Sequence, residues 1–226
     1  GVKWSIFVKK RLSHNFADVI GTDNLLCAWS EFLIGKKSRP DVQRFQFYLM
    51  DNILALHREL SGRIYKHGQY STFRVADPKP RIIHKASVRD RLVHHALYRK
   101  LYPFFDKVFI ADSYSCRKGK GIHKTINRFR QLAYRESKNH THTCWVLKCD
   151  IKQFFASVNH RVLLNILDEY IRDEDVYKLC KEVIESFHST DKGIGLPLGN
   201  LTSQLFVNIY MNEFDQFVKH KLKAKC

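Results

Sequence analysis

The chain has 226 residues, 44% of them hydrophobic, a composition typical of a folded domain rather than a disordered segment. Lysine and arginine number 39 against 22 acidic residues, so the net charge is +17. This exceeds the magnitude of about 2 to 8 that suits a small soluble domain, and it favours nucleic acid or an anionic membrane as partner. No apolar run approaches the roughly 20 residues that span a bilayer, so we expect nucleic acid and no membrane.

The cysteines and the first residues indicate a compartment. Six cysteines show no CxxC pair and no framework spacing, which is typical of reduced thiols. The opening stretch "GVKWSIFVKKRLSH" is too charged to hold the apolar region of a secretory signal. We therefore expect a cytoplasmic protein.

Hydrophobic spacing predicts an α+β protein with many helices and few strands. Thr22 or Asp23 is the expected cap of the first helix, and Asn159 that of a later one. A β-hairpin with a basic tip, carrying Lys79 and Arg81, is predicted around the turn sequence at 77–80. The predicted helices cover 22–35, 45–62, 88–101, the end of 113–136, 159–171, 173–188 and 203–223, and a short strand covers 145–150.

Asp150 ends the apolar stretch "WVLKCD". An acid at the end of a strand projects at the edge of the core, where phosphoryl-transfer enzymes often place a metal-binding carboxylate. The alternative is an aspartate that caps the next turn. Taken alone, Asp150 leaves both interpretations open.

Two histidine groups are weaker candidates. His140, His142 and Cys144 would share one face of a strand and could bind zinc, but a fourth ligand is not evident and the stretch is typical of a solvent loop. His94 and His95 are neighbours on a predicted helix and point in different directions, which disfavours a joint catalytic role.

Four stretches carry a resemblance: "RIIHKASVRDRLVHHAL", "DSYSCRKGKGIHKTINR", "WVLKCDIKQFFASVNH" and "GLPLGNLTSQLFVNIYMNEFDQF". In this order they resemble successive blocks of a prokaryotic reverse transcriptase, the fingers and palm of a right-hand polymerase. The resemblance covers about residues 60–226. It implies an N-terminal helical extension at 1–60, and interleaved fingers and partial palm at 61–226.

The resemblance assigns roles around the nucleotide. Asp150 matches the first catalytic metal ligand and the Ile151 carbonyl a backbone ligand beside it, for two Mg²⁺ or Mn²⁺ ions. Phe155, next to Phe154, matches the gate that blocks a ribose 2′-hydroxyl. The remaining nucleotide-binding positions are Lys79 and Arg81 on the triphosphate, and Leu198 and Gly199 beside the incoming nucleotide.

The basic run "CRKGKGIHK" lacks the Walker spacing, so we expect it to contact the template or primer backbone. The candidate nucleic-acid-binding residues are Arg117, Lys118, Lys120 and Lys124. The implied partners are an RNA template, a DNA or RNA primer, deoxynucleoside triphosphates and an accessory protein.

The fourth of these stretches indicates which group of reverse transcriptases the chain resembles. Group II intron enzymes typically have Gln-Gly and Ser-Pro there, whereas this chain has Leu198-Gly199 and Ser203-Gln204. These pairs are similar to the reverse transcriptases of diversity-generating retroelements. A group II intron maturase is the disfavoured alternative, and a catalytically dead module that only binds nucleic acid is another.

The family's next block is a hairpin with an Asp-Asp pair, and no such pair occurs in the 226 residues. Asp215 lies on the last predicted helix and is expected to be a surface residue. We therefore expect an N-terminal fragment that lacks this hairpin and the thumb and does not extend a primer by itself.

Overall fold

The computed structural model describes residues 10–76 and 80–223. Helices dominate this part of the chain, and none is both long and apolar enough to cross a membrane. The helices are α1 (Phe16–Ile20), α2 (Thr22–Phe32), α3 (Pro40–Phe47), α4 (Leu49–Ser61), α5 (Val88–Phe105), α6 (Ile122–Glu136), α7 (Phe154–Ser157), α8 (His160–Tyr170), α9 (Glu174–Glu185) and α10 (Leu201–Gln216), followed by a π-helical turn at Phe217–Lys221.

Helix α5 is the centre of the core, and both α2 and α10 pack against it. Ser87 begins α5 by accepting a hydrogen bond from the Asp90 amide. Leu92, Leu97 and Leu101 are completely buried along it. Because α2 belongs to the predicted N-terminal extension, that extension is packed onto the body of the protein. The division near residue 60 stays a prediction.

Several helix boundaries differ from the predicted ones. The helix predicted at 45–62 is two helices, α3 and α4, because Tyr48 leaves the helical region with φ −112° and ψ 39°. Gly21, with no side-chain hydrogen bond, is the cap of α2, so the capping roles of Thr22 and Asp23 are wrong. The cap at Asn159 is confirmed, since its side chain accepts from the Val162 amide.

The predicted hairpin is confirmed as two antiparallel strands, β1 (Ser71–Val75) and β2 (Arg81–Lys85). Phe73 pairs with Ile83 in its register. The tip, with Lys79, lies outside the described residues. β1 is exposed along its whole length and β2 only becomes half-buried toward Lys85, so the hairpin projects from the body.

The strand predicted at 145–150 is wrong. These residues have no regular structure, and Trp145 and Leu147 are 92% and 89% exposed. A strand needs a neighbour to pair its backbone N–H and C=O groups, and the described residues form no sheet other than β1–β2. The described fold is α+β with many helices and a single two-stranded sheet, which confirms the predicted class.

Candidate nucleotide and nucleic-acid site

Strand β2 is held against the loop that precedes α10. The amide of His84 donates to the Leu198 carbonyl at 3.0 Å, and the side-chain amide of Asn200 donates to the His84 carbonyl at 3.0 Å. Both backbone polar groups of one β2 residue are therefore bound by residues 198–200. We call this pair of hydrogen bonds the His84 clamp.

Gly199 lies between Leu198 and Asn200, the two residues that bind His84, and a side chain would not fit at this position. Its φ is +105°, and a Cβ atom there would lie 2.8 Å from Cγ2 of Ile83. Side chains alternate along a strand, so Arg81 projects from the same face as Ile83, about 6.6 Å further along. The exposed Arg81 is thus on the side of the hairpin that faces Leu198 and Gly199.

The same loop is tied to α7. The Leu196 amide donates to the Phe155 carbonyl at 2.7 Å, and the Gly195 amide donates to the Val158 carbonyl at 2.8 Å. Phe154 and Phe155 are half-buried and packed against the core. The structure therefore brings Phe154 and Phe155 to one loop together with the hairpin, although these residues are far apart in sequence.

Asp150 lies in the irregular segment before α7. Its side chain is exposed, and within residues 10–76 and 80–223 no hydrogen bond or ion pair engages its carboxylate. Ile151 is 47% exposed. The Asp150 carboxylate and the Ile151 carbonyl are the hard oxygen donors that Mg²⁺ prefers.

A two-ion centre does not fit the donors that the structure describes. Two divalent ions about 3.5 to 4 Å apart need several carboxylates. No group of three or more Asp, Glu, His or Cys side chains that could hold a metal exists among the described residues. Asp215 is not on the surface as expected: it is half-buried, and burial raises the pKa of its carboxyl.

The zinc alternative also lacks its geometry. Residues 138–142 form turns rather than a strand, so His140 and His142 do not share a strand face with Cys144. His94 contacts His67, with 3.0 Å between their Nε2 atoms, whereas His95 packs its ring edge against Phe32. The two neighbouring histidines therefore do point in different directions.

Arg117 has a different role from the predicted one. Its side chain is buried, and its Nε donates to Oδ1 of Asp106 at 2.8 Å. The remaining guanidinium bonds go to the backbone carbonyls of Asp106, Ile110 and Ser113. Since the guanidinium is already occupied by protein acceptors, Arg117 shapes the basic loop instead of offering a free fork to phosphate.

The lysines of the basic run differ in exposure. The Lys118 amide donates to the Tyr102 hydroxyl at 2.6 Å, while its exposed ammonium lies over the Tyr98 ring. Lys120 is half-buried, donates to the Ala111 carbonyl, and has its pKa lowered by burial. Lys124 is exposed on α6. Lys118 and Lys124 are thus the best placed of the four candidates to meet a phosphate.

Sequence reasoning missed the residues that assemble the site. Asn200 precedes a helix and so resembles an ordinary cap, and nothing in its neighbours points to His84, 116 positions away. Asp112, which holds Arg128 of α6 and Lys219 near the C-terminus, was also missed because its partners are distant in sequence. Long-range pairs of this kind leave no local pattern.

Residues 64–226 match the family described as "Reverse transcriptase (RNA-dependent DNA polymerase)". The chain belongs to the reverse transcriptase family. The resemblance found from the four motif blocks is confirmed at this level, as a reverse transcriptase domain of the prokaryotic and group II intron type.

Relatives of this reverse transcriptase domain include bacterial proteins. Protein YkfC of Escherichia coli (strain K12) is 30% identical over 142 residues, covering 60% of this chain and 36% of its own. The group II intron-encoded protein LtrA of Lactococcus lactis subsp. cremoris is 26% identical over 141 residues, covering 60% and 22%. The chain thus spans about a third or less of the length of these curated relatives.

A solved structure shows the same fold. A chain of the structure described as "Partial Cas6-RT-Cas1--Cas2 complex" superposes with a TM-score of 0.60 at 22% sequence identity. The match covers 92% of this chain and 35% of the other. The chain therefore shares its fold with the matched part of that structure.

Proposed function

We propose that this chain is the fingers and part of the palm of an RNA-directed DNA polymerase that extends a DNA or RNA primer along an RNA template. The observation that carries the proposal is the His84 clamp, which brings β2 and the 198–200 loop into one site. Family membership suggests the reaction, and the clamp supports a single site for motif blocks that are distant in sequence.

The proposed contacts suit a deoxynucleoside triphosphate. Arg81 presents a planar guanidinium, which binds phosphate oxygens in pairs, and Lys79 would add a point charge. Phe155 would exclude a ribose 2′-hydroxyl, and the backbone at Gly199 would let the nucleotide approach closely. Leu198 offers no polar group to the base, which fits loose nucleotide selection.

Asp150 and the Ile151 carbonyl would contribute two donors to Mg²⁺ or Mn²⁺. Such ions would lower the barrier to nucleotidyl transfer by stabilising charge on the attacking and leaving oxygens. A two-ion centre requires carboxylates additional to Asp150. For this reason we expect no primer extension by the 226-residue chain alone.

Within the family, we place the chain in the group of diversity-generating retroelements. The support is the pair Leu198-Gly199 together with Ser203-Gln204, in place of the Gln-Gly and Ser-Pro that are typical of group II intron maturases. The likeness to LtrA keeps an intron maturase as the second candidate. Replacing Leu198 by Gln should raise copying fidelity if the first assignment is right.

The partners and the compartment that we propose follow from the net charge, from the cysteine spacing and from the solved structure of similar fold. The net charge of +17 suits RNA and primer–template duplexes. A Cas6-RT-Cas1--Cas2 complex contains further proteins beside its reverse transcriptase, which supports an accessory protein here. The six cysteines lack the spacing of a disulfide framework, which favours the reducing environment of the cytoplasm.

The test is primer extension on an RNA template by the full-length protein. Asp150→Asn keeps the shape of the side chain and removes its charge, so it should reduce extension by at least about a thousandfold, or roughly 4 kcal/mol. Asp51→Asn on α4, also an exposed acid, is the matched control and should retain activity.

Two results would count against the proposal. Extension that survives Asp150→Asn would mean that the catalytic acids lie elsewhere. A wild-type protein that binds RNA and never extends a primer would favour the dead binding module.

A further inference from the structure

Asn200 occupies the N-cap position of α10 without capping it. Its backbone has the extended conformation of a cap, φ −99° and ψ 145°, but its side chain accepts no hydrogen bond from the first turn. The side chain is instead 3% exposed and directed at β2. An asparagine in this position usually stabilises its own helix, so its commitment to another element needs an explanation.

The chemistry of the contact fixes the side-chain orientation. A backbone carbonyl can only accept, so the atom that faces the His84 carbonyl must be Nδ2 of Asn200. His84 is opposite Thr72 in the hairpin, and its own amide is bonded to Leu198 rather than to β1. In an antiparallel pair such a residue turns its polar groups outward, which leaves them free to bind the loop.

The remaining ties of the hairpin lie near its base. The His84 ring packs on Phe187 with 4.5 Å between centroids, and Lys85 pairs with Asp41 at 2.7 Å. Toward the tip, β2 is exposed at Arg81 and Ile82. The His84 clamp joins β2 to the loop that carries Leu198 and Gly199, whereas the contacts with Phe187 and Asp41 would still hold the base of the hairpin without it.

We propose that Asn200 is a positioning residue for the incoming nucleotide: its bond to the His84 carbonyl sets the distance between Arg81 and the Leu198–Gly199 loop. This inference rests on the proposed polymerase function. Asn200 touches no substrate in this scheme. Its loss should weaken triphosphate binding while the chemical step at Asp150 is spared.

The test compares Asn200→Asp with Asn52→Asp. Both substitutions preserve shape and remove a side-chain amide that donates to a backbone carbonyl, since Asn52 donates to Phe45 at 2.9 Å between α3 and α4. Asn200→Asp should raise the KM for deoxynucleoside triphosphates roughly tenfold and change kcat by less than about twofold. Asn52→Asp should lower thermal stability and leave the KM unchanged.

Hydrogen exchange in the full-length protein gives a readout that needs no activity. Asn200→Asp should reduce protection of the His84 amide, and Asn52→Asp should not. If His84 loses protection but the KM stays at the wild-type value, or if kcat alone falls, the positioning role is overturned. Failure of the polymerase proposal is distinguishable, because the wild-type protein itself would then not extend a primer.

Asn200→Ala provides the second variant. It removes the donor without adding charge, so it should raise the KM in the same direction as Asn200→Asp. A KM rise with Asp and none with Ala would trace the effect to the introduced charge and would reject the role of the hydrogen bond.

Discussion

At the scale of single residues, the site depends on a glycine that has both a conformational and a steric reason to be there. Gly199 has φ +105°, which L side chains rarely adopt, and its missing Cβ leaves room for Ile83 of β2. The two causes can be separated because Gly193 has a similar φ of +83° with nothing within 4 Å of the Cβ position.

We predict that Gly199→Ala lowers the free energy of unfolding by about 2 to 4 kcal/mol, and that Gly193→Ala costs about 1 kcal/mol from backbone strain alone. Urea denaturation of both variants would measure the difference. Equal costs would mean that Ile83 moves aside freely and that β2 is not firmly seated on the loop.

The residue scale also shows what the sequence could not tell. Arg117 lies in a run of basic residues, so local composition predicted a phosphate contact. Its burial depends on carbonyls at 110 and 113 and on Asp106, whose arrangement exists only in the folded loop. By contrast, the roles proposed for Arg81, Phe155 and Gly199 rest on motif order, and the fold brings β2 and α7 to the loop that contains Gly199.

At the scale of elements, α6 is a helix that packs only weakly on the body of the protein. None of its residues is buried, and Ile122, Ile126 and Phe129 are exposed. Arg128 of α6 donates two hydrogen bonds to the carboxylate of Asp112, the shorter at 2.7 Å. Lys219 donates to the same carboxylate at 2.9 Å. The hydrogen bond from Arg128 is the main reason that the pKa of Asp112 lies below its usual value.

This carboxylate should make the stability depend on acid pH. A lowered folded-state pKa stabilises the fold above the unfolded value of about 3.9, and the contribution disappears as pH falls through the folded pKa. Asp112→Asn should therefore cost about 1 to 3 kcal/mol at pH 7 and progressively less below pH 4. The control is Asp168→Asn, an exposed acid on α8. A cost that does not change with pH would assign the effect to shape instead of charge.

Elements were predictable where their patterns were local. The spacing of apolar residues located α2, α5, α8 and α9, and the turn sequence located the β1–β2 hairpin. The prediction of a strand at 145–150 was wrong, because strand formation requires a partner strand as well as an apolar sequence. The break between α3 and α4 at Tyr48 was not predicted, because the apolar spacing continues across it.

At the scale of the whole molecule, the excess of positive charge indicates a negatively charged partner. Many arginines are already paired with acids, for example Arg63 with Asp175 and Arg91 with Asp41. Lys118 and Lys124 are exposed beside or on α6 and carry no such pair among the described residues. Nucleic-acid affinity should therefore depend on a few exposed lysines rather than on all 39 basic residues.

We predict that the chain binds single-stranded RNA with little sequence preference, and that log affinity falls with log salt by about 0.7 per phosphate neutralised. Lys118→Ala and Lys124→Ala should each reduce the steepness of this slope by about that amount. Lys178→Ala is the control, because Lys178 is exposed on α9 and pairs with Glu174. Arg117→Lys should instead lower stability, since a lysine cannot satisfy three carbonyls and Asp106 together. Titrations between about 50 and about 200 mM salt would measure the slopes, and an affinity that is independent of salt would exclude electrostatic binding.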